Sequence, residues 1–141
     1  MPIIKDPAPY VPSMALSFGD VEQPAVAVST ANPLPVALVS GPAGVAPLVG
    51  SAAASTVAGP FSSEPGREVW LTLSGIWSGT ITVLRSTDGG ASKLPLTIGG
   101  EAWAVFTANA QEAVGTETVA GASYYLDIAL VSGTLAYRVQ Q

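Results

Sequence analysis

From Arg67 onward, hydrophobic and polar residues alternate with a period of two. Val69, Leu71 and Leu73 fall on one side and Trp70, Thr72 and Ser74 on the other, the pattern of a half-buried strand. Ile81 and Val83 resume the alternation against Thr80 and Thr82, and Gly75-Ile76-Trp77-Ser78-Gly79 between them is expected to turn the chain. Asp88-Gly89-Gly90 predicts a tight turn, because glycine takes positive φ without steric cost. Short runs at 94–98 and 103–107 follow, separated by Gly99-Gly100. Residues 109–121 are more polar, carry Glu112 and Glu117, and are expected to form an exposed loop with one short strand or helical turn. In 124–131, Tyr124, Leu126, Ile128 and Leu130 alternate against Tyr125, Asp127, Ala129 and Val131. Ser132-Gly133 then predicts a two-residue hairpin loop before a last strand at 134–139. About five to seven strands at this spacing describe an all-β fold, a small antiparallel, jelly-roll-like β-sandwich.

Proline divides the chain. Pro2, Pro7, Pro9, Pro12, Pro24, Pro33, Pro35, Pro42, Pro47, Pro60 and Pro65 precede the alternating region, and only Pro95 lies within it. Proline removes a backbone donor and pushes its predecessor toward extended conformations, so residues 1–63 are expected to form an extended Pro/Ala/Gly-rich arm and 64–141 the sandwich. Within the arm, 25–29 and 36–39 are short β-prone runs, strands in want of a partner sheet. The tract 41–60, GPAGVAPLVGSAAASTVAGP, has the composition of a linker. Its own side chains could hold little, so the arm is expected to dock on a neighbouring subunit, with Pro33, Leu34, Pro35, Val36 and Leu38 as its gripping residues.

Charge narrows the possibilities. Charged residues make 11% of the 141 and apolar residues 48%, a surface so poorly solvated that other subunits are expected to cover much of it. A net charge of −5, with Lys5, Arg67, Arg85, Lys93 and Arg138 scattered, argues against a nucleic-acid partner. The sequence has no apolar run long enough for a membrane span or signal peptide. Cysteine and histidine are absent, which excludes disulfides, thiolate or imidazole metal sites, and Ser-His-Asp or Cys-His catalysis. A small β-domain without such staples commonly needs oligomerisation, and a homo-oligomer is expected, with a trimer favoured.

Only carboxylates and hydroxyls remain for chemistry. Glu101, Glu112, Glu117 and Asp127 could in principle pair for glycosidic cleavage, and Glu112 with Glu117 could offer oxygens to Ca²⁺, but neither set stands in a motif. No enzymatic activity, cofactor or metal is expected. Trp70, Trp77, Trp103, Tyr124 and Tyr137 are expected in the core or a subunit interface rather than on display.

Ser86-Thr87-Asp88-Gly89-Gly90-Ala91-Ser92 resembles an Asp-box, the hairpin turn of sialidases and many β-proteins, with Lys93 at its aromatic position. That resemblance implies a turn-fixing role for Asp88, Gly89 and Gly90. The segments LSGIWSGT at 73–80, LRSTDGG at 84–90, LPLT at 94–97, GGEAW at 99–103 and SGTLAYR at 132–138, with ANPLPV at 31–36, resemble small β-rich virion proteins of tailed phages. The resemblance implies a capsid decoration, head-fibre, neck or tail accessory subunit on the particle surface, bound through its arm to capsid, neck or tail proteins. A carbohydrate- or receptor-binding module, with 109–121 and an exposed Trp as its site, is the alternative.

Overall fold

The computed structural model describes residues 17–18, 26–31, 33–34 and 44–141. The chain divides into two compact units, Met1–Gly41 and Pro42–Gln141. In the first, β1 (Ser17–Phe18) pairs antiparallel with β2 (Val26–Ala27). The run expected at 25–29 therefore holds a strand, and the one at 36–39 lies outside the described residues.

The second unit is an all-β antiparallel sandwich, with no helix among the described residues. Its strands are β3 (Leu48–Ala52), β4 (Thr56–Ser62), β5 (Arg67–Ser86), β6 (Leu94–Pro95), β7 (Thr97–Ile98), β8 (Glu101–Ala102), β9 (Val105–Phe106), β10 (Ala110–Glu117) and β11 (Ser123–Gln140). Two of these, β5 and β11, pair along almost their whole length, from Ser123↔Ser86 to Gln140↔Trp70. The turn expected at 75–79 and the hairpin expected at Ser132-Gly133 are thus not turns. Both lie in the middle of continuous strands.

The glycines at these places bend the ribbon instead of reversing it. Gly79 has φ +147° and Gly133 φ +88°. A Cβ on Gly79 would lie 2.2 Å from the Ala129 carbonyl oxygen, and one on Gly133 would lie 2.1 Å from that of Ile76. Only glycine lets the two backbones approach this closely at a corner. The first arm of the bent ribbon carries β10 on the β5 side and β3 on the β11 side, and the second carries β6 and β9 on β5 and β4 on β11. Folding one half over the other makes the two layers, in the manner of strands that switch sheets at a bend.

Alternation then decides the core. On β5, Val69, Leu71, Leu73, Ile81 and Val83 all point inward and are buried. On β11 the inward set changes parity, from Tyr124, Leu126 and Ile128 to Leu135 and Val139. The register shift between Leu130 and Ser132 inserts Val131 as a bulge and flips the face, because side chains alternate with period two. Val131 itself is 84% exposed. These residues and Phe61, Ala58 and Val114 form one hydrophobic cluster between the layers. Each fully buried Leu or Ile contributes about 1.5–3 kcal/mol.

Side chains close the gaps where the sheet splits at the corner. On one edge Ser55 accepts a hydrogen bond from Leu130 N at 3.0 Å and donates to Leu130 O at 3.2 Å. On the other, Asn109 donates to Gly75 O at 3.0 Å and accepts from the Trp77 indole N–H at 2.7 Å. At the C-terminus, Gln141 exchanges hydrogen bonds with the backbone of Glu64 at 2.7 and 3.0 Å.

Two expectations need correction here. The tract 44–62 belongs to the sandwich and not to an arm: β3 pairs with Leu135 to Val139 and β4 with Ser123 to Ile128 of β11. The folded unit accordingly begins at Pro42, well before residue 64. Residues 109–121, expected to be an exposed loop with one short strand or helical turn, are mostly strand: Ala110–Glu117 form the eight-residue edge strand β10.

Candidate functional site

The Asp88 turn is built from its first and last residues inward. Ser86, buried at the end of β5, donates its hydroxyl to Asp88 Oδ1 at 2.7 Å and accepts from Gly90 N at 2.9 Å. Asp88 in turn accepts from Ser92 N at 2.9 and 3.0 Å. The Ser92 backbone N–H, followed by the Ser86 hydroxyl, holds the Asp88 carboxyl well below the usual carboxylate range. Gly89 and Gly90 occupy left-handed backbone at φ +72° and +91°. Lys93, standing where an Asp-box has an aromatic residue, donates to Gly90 O at 2.7 Å and lies 4.9 Å from the centroid of the Tyr125 ring. The aromatic beneath the turn is thus supplied by β11, with a cation–π contact in place of the motif's own ring.

Next to this turn, Arg85 continues the inward series of β5. Its Nε donates to Glu117 Oε2 at 2.8 Å and its Nη2 to Oε1 at 2.7 Å, a two-pronged ion pair between the layers. Glu117 Oε1 also accepts from Thr118 N at 2.8 Å and Val119 N at 2.7 Å, and Oε2 accepts from the Tyr124 hydroxyl at 3.0 Å. Five donors therefore surround a carboxylate that is 1% exposed. The Arg85 hydrogen bonds, opposed by burial and helped by the two backbone N–H groups and Tyr124, pull the Glu117 carboxyl down to about 2. Burial, then the bond to Glu117, pushes the Tyr124 hydroxyl up to about 12. Glu117 raises the Arg85 guanidinium above its ordinary value.

The other carboxylates considered for chemistry lie elsewhere. Glu101, Glu112 and Asp127 are exposed, and Glu117 has its oxygens fully engaged. Among the described residues no three Asp or Glu side chains gather as metal ligands. Of the arm residues, Pro33 and Leu34 are exposed, while Pro35, Val36 and Leu38 lie outside the described residues.

The aromatic residues separate into distinct environments. Tyr124 is buried, and Trp77 and Tyr137 are partly buried against the core. Trp70 faces outward and is 39% exposed, and Trp103 is 42% exposed. Trp103 is nevertheless fixed: its backbone N–H donates to Leu96 O at 2.8 Å and its indole N–H to Val114 O at 3.0 Å. The next residue, Ala104, is buried and takes φ +54°, the left-handed region, at a cost of about 1–2 kcal/mol for a residue with a Cβ. Two surface clefts open beside Trp103. One, of about 430 Å³, is walled by Arg85, Thr97, Ile98, Thr116 and Thr118, and the other, of about 260 Å³, by Val105, Glu112 and Val114.

The sequence pattern did not single out the Arg85–Glu117–Tyr124 cluster. The signal available was Arg85 itself, a charge at an inward position of an otherwise apolar series, which demands a buried acid opposite. The fold and site define the chain as an antiparallel β-sandwich held by a cross-layer ion pair, and no family model, curated protein or solved structure matches it.

Proposed function

We propose that this chain is a non-enzymatic structural subunit of a tailed-phage particle, a capsid decoration or accessory protein anchored on the particle surface through its N-terminal arm. The observation that carries the reading is the character of the surface. Ile76, Val131, Leu94, Ile98, Val49 and Val57 are each more than half exposed, in a chain with only 11% charged residues. Scattered exposed side chains are ordinary, but this many with so little charge suit a surface that other subunits cover. The likeness of its turn segments to small β-rich virion proteins supplies the kind of assembly. Its partners in this reading are capsid, neck or tail proteins and further copies of itself, with a trimer favoured.

The best-defined polar groups are consistent with a structural role. Asp88 ties a turn and Glu117 ties the two layers. The arm is residues 1–41, since 48–62 contribute two strands to the sandwich. Quantitative mass spectrometry of density-purified particles is expected to find the chain in fixed ratio to the major capsid protein. Light scattering of the isolated chain is expected to give about three times 14.2 kDa. Absence of the chain from purified particles would refute the proposal.

A further inference from the structure

Trp103 is held at both its backbone and its indole N–H, yet a large part of its ring faces solvent. Left-handed backbone at the buried Ala104 directly after it is strain spent at this position, and strained residues of this kind cluster at binding sites. We infer that Trp103 and the clefts on its two sides form a binding site for a neutral oligosaccharide, with one sugar ring stacked on the indole. The inference is independent of any attachment to a particle.

The surrounding groups fit a sugar better than other ligands that stack on Trp. A pyranose presents an apolar C–H face to an aromatic ring and a rim of hydroxyls, each both donor and acceptor. On one side of Trp103 the cleft offers the hydroxyls of Thr97, Thr116 and Thr118 and an edge of the Arg85 guanidinium, which is 30% exposed. On the other side stands the Glu112 carboxylate, an acceptor likewise without a partner among the described residues. A nucleobase would bring phosphate to a chain of charge −5, and a polyanionic glycan would meet Glu112. A purely apolar peptide would leave the threonine hydroxyls without partners. Because the ring is ordered before any ligand arrives, little side-chain entropy is lost on binding.

Calorimetric titration of the full-length chain with cellohexaose, maltohexaose and chitohexaose tests the site. At least one is expected to bind with Kd below about 1 mM. Trp103→Ala is expected to weaken that binding by about tenfold or more, and Trp70→Ala, on the outer face of the other layer, to leave it unchanged. Trp103→Ala also removes the bond to Val114 O, so a melting curve must show that it folds. Glu112→Ala, on an exposed edge-strand position, is the second variant and is expected to weaken binding about threefold or more. If Trp103→Ala does not fold, Glu112→Ala alone decides. No heat with any of the three sugars at about 10 mM overturns the inference. So does a folded Trp103→Ala, or in its absence a Glu112→Ala, that titrates like the parent.

Discussion

Replacing Glu117 with Gln changes one atom and no volume, yet it is expected to be among the most damaging substitutions in the sandwich. Both carboxylate oxygens face only donors: Oε1 receives Arg85 Nη2 and the N–H groups of Thr118 and Val119, and Oε2 receives Arg85 Nε and the Tyr124 hydroxyl. Whichever way the amide turns, its NH2 meets at least one donor that cannot rotate away, and the Arg85 charge loses its counter-ion. Two routes give the magnitude. Breaking a buried ion pair at one end costs about 3–5 kcal/mol. Independently, the fall of the Glu117 carboxyl from 4.5 to about 2, at about 1.4 kcal/mol per pH unit, corresponds to about 3 kcal/mol. Arg85 is 30% exposed and can regain some hydration, so the lower figure is the better expectation. At about 4 °C per kcal/mol or more for a domain near 100 residues, the melting temperature of Glu117→Gln at neutral pH falls by about 12 °C or more. The sign of the pH dependence follows from the lowered value. The stabilisation is complete above about 4.5 and is lost as pH falls toward about 2. The parent should therefore lose stability over that window with a steeper slope than Glu117→Gln. A variant that melts within about 3 °C of the parent, less than 1 kcal/mol, would refute the reasoning.

Four further substitutions test the same geometry. Gly79→Ala places a Cβ 2.2 Å from the Ala129 carbonyl oxygen on unfavourable backbone and is expected to cost about 3 kcal/mol or more. Gly89→Ala, with open space around it, should cost only about 1–2 kcal/mol, and urea melts of the two compare them directly. Tyr124, raised from 10 to about 12, contributes stability that is complete below about pH 10 and lost as pH rises toward 12. Tyr124→Phe should remove its share of that alkaline loss in denaturation followed by circular dichroism. Asp88→Ala frees the Ser92 amide and releases the Ser86 hydroxyl, so hydrogen exchange should quicken at Gly90 and Ser92 while the core amides of Leu71 and Leu126 stay protected.

Much of the sandwich is legible in the sequence, and the errors share a cause. Strict alternation at 69–73 and 81–83 identifies the inward face of β5, and Tyr124, Leu126 and Ile128 identify that of β11, although Tyr125 on the opposite face is also buried, beneath the Asp88 turn. The Asp88 turn is legible because its side chain and its glycines each have a local reason to be there. Gly75, Gly79 and Gly133 misled because the residue that permits a turn also permits a sharp bend in a strand. One cue was present: Leu73 and Ile81 share parity, as they must if β5 runs through without interruption. Strands β3 and β4 were hidden by composition. Their Ala, Gly and Pro60 carry little strand propensity, and both are held by pairing to β11, which no local window contains. Glu117 was hidden for the same reason, since Arg85 reaches it only after the ribbon bends.

The attachment claim is tested most directly by adding purified chain to particles that lack it. The full-length chain and a chain without residues 1–41 would be compared by co-sedimentation, after circular dichroism has shown that the truncated chain retains the melting transition of the sandwich. The account predicts that the full-length chain sediments with the particles and the truncated one stays in solution. Equal sedimentation of both would contradict anchoring through the arm.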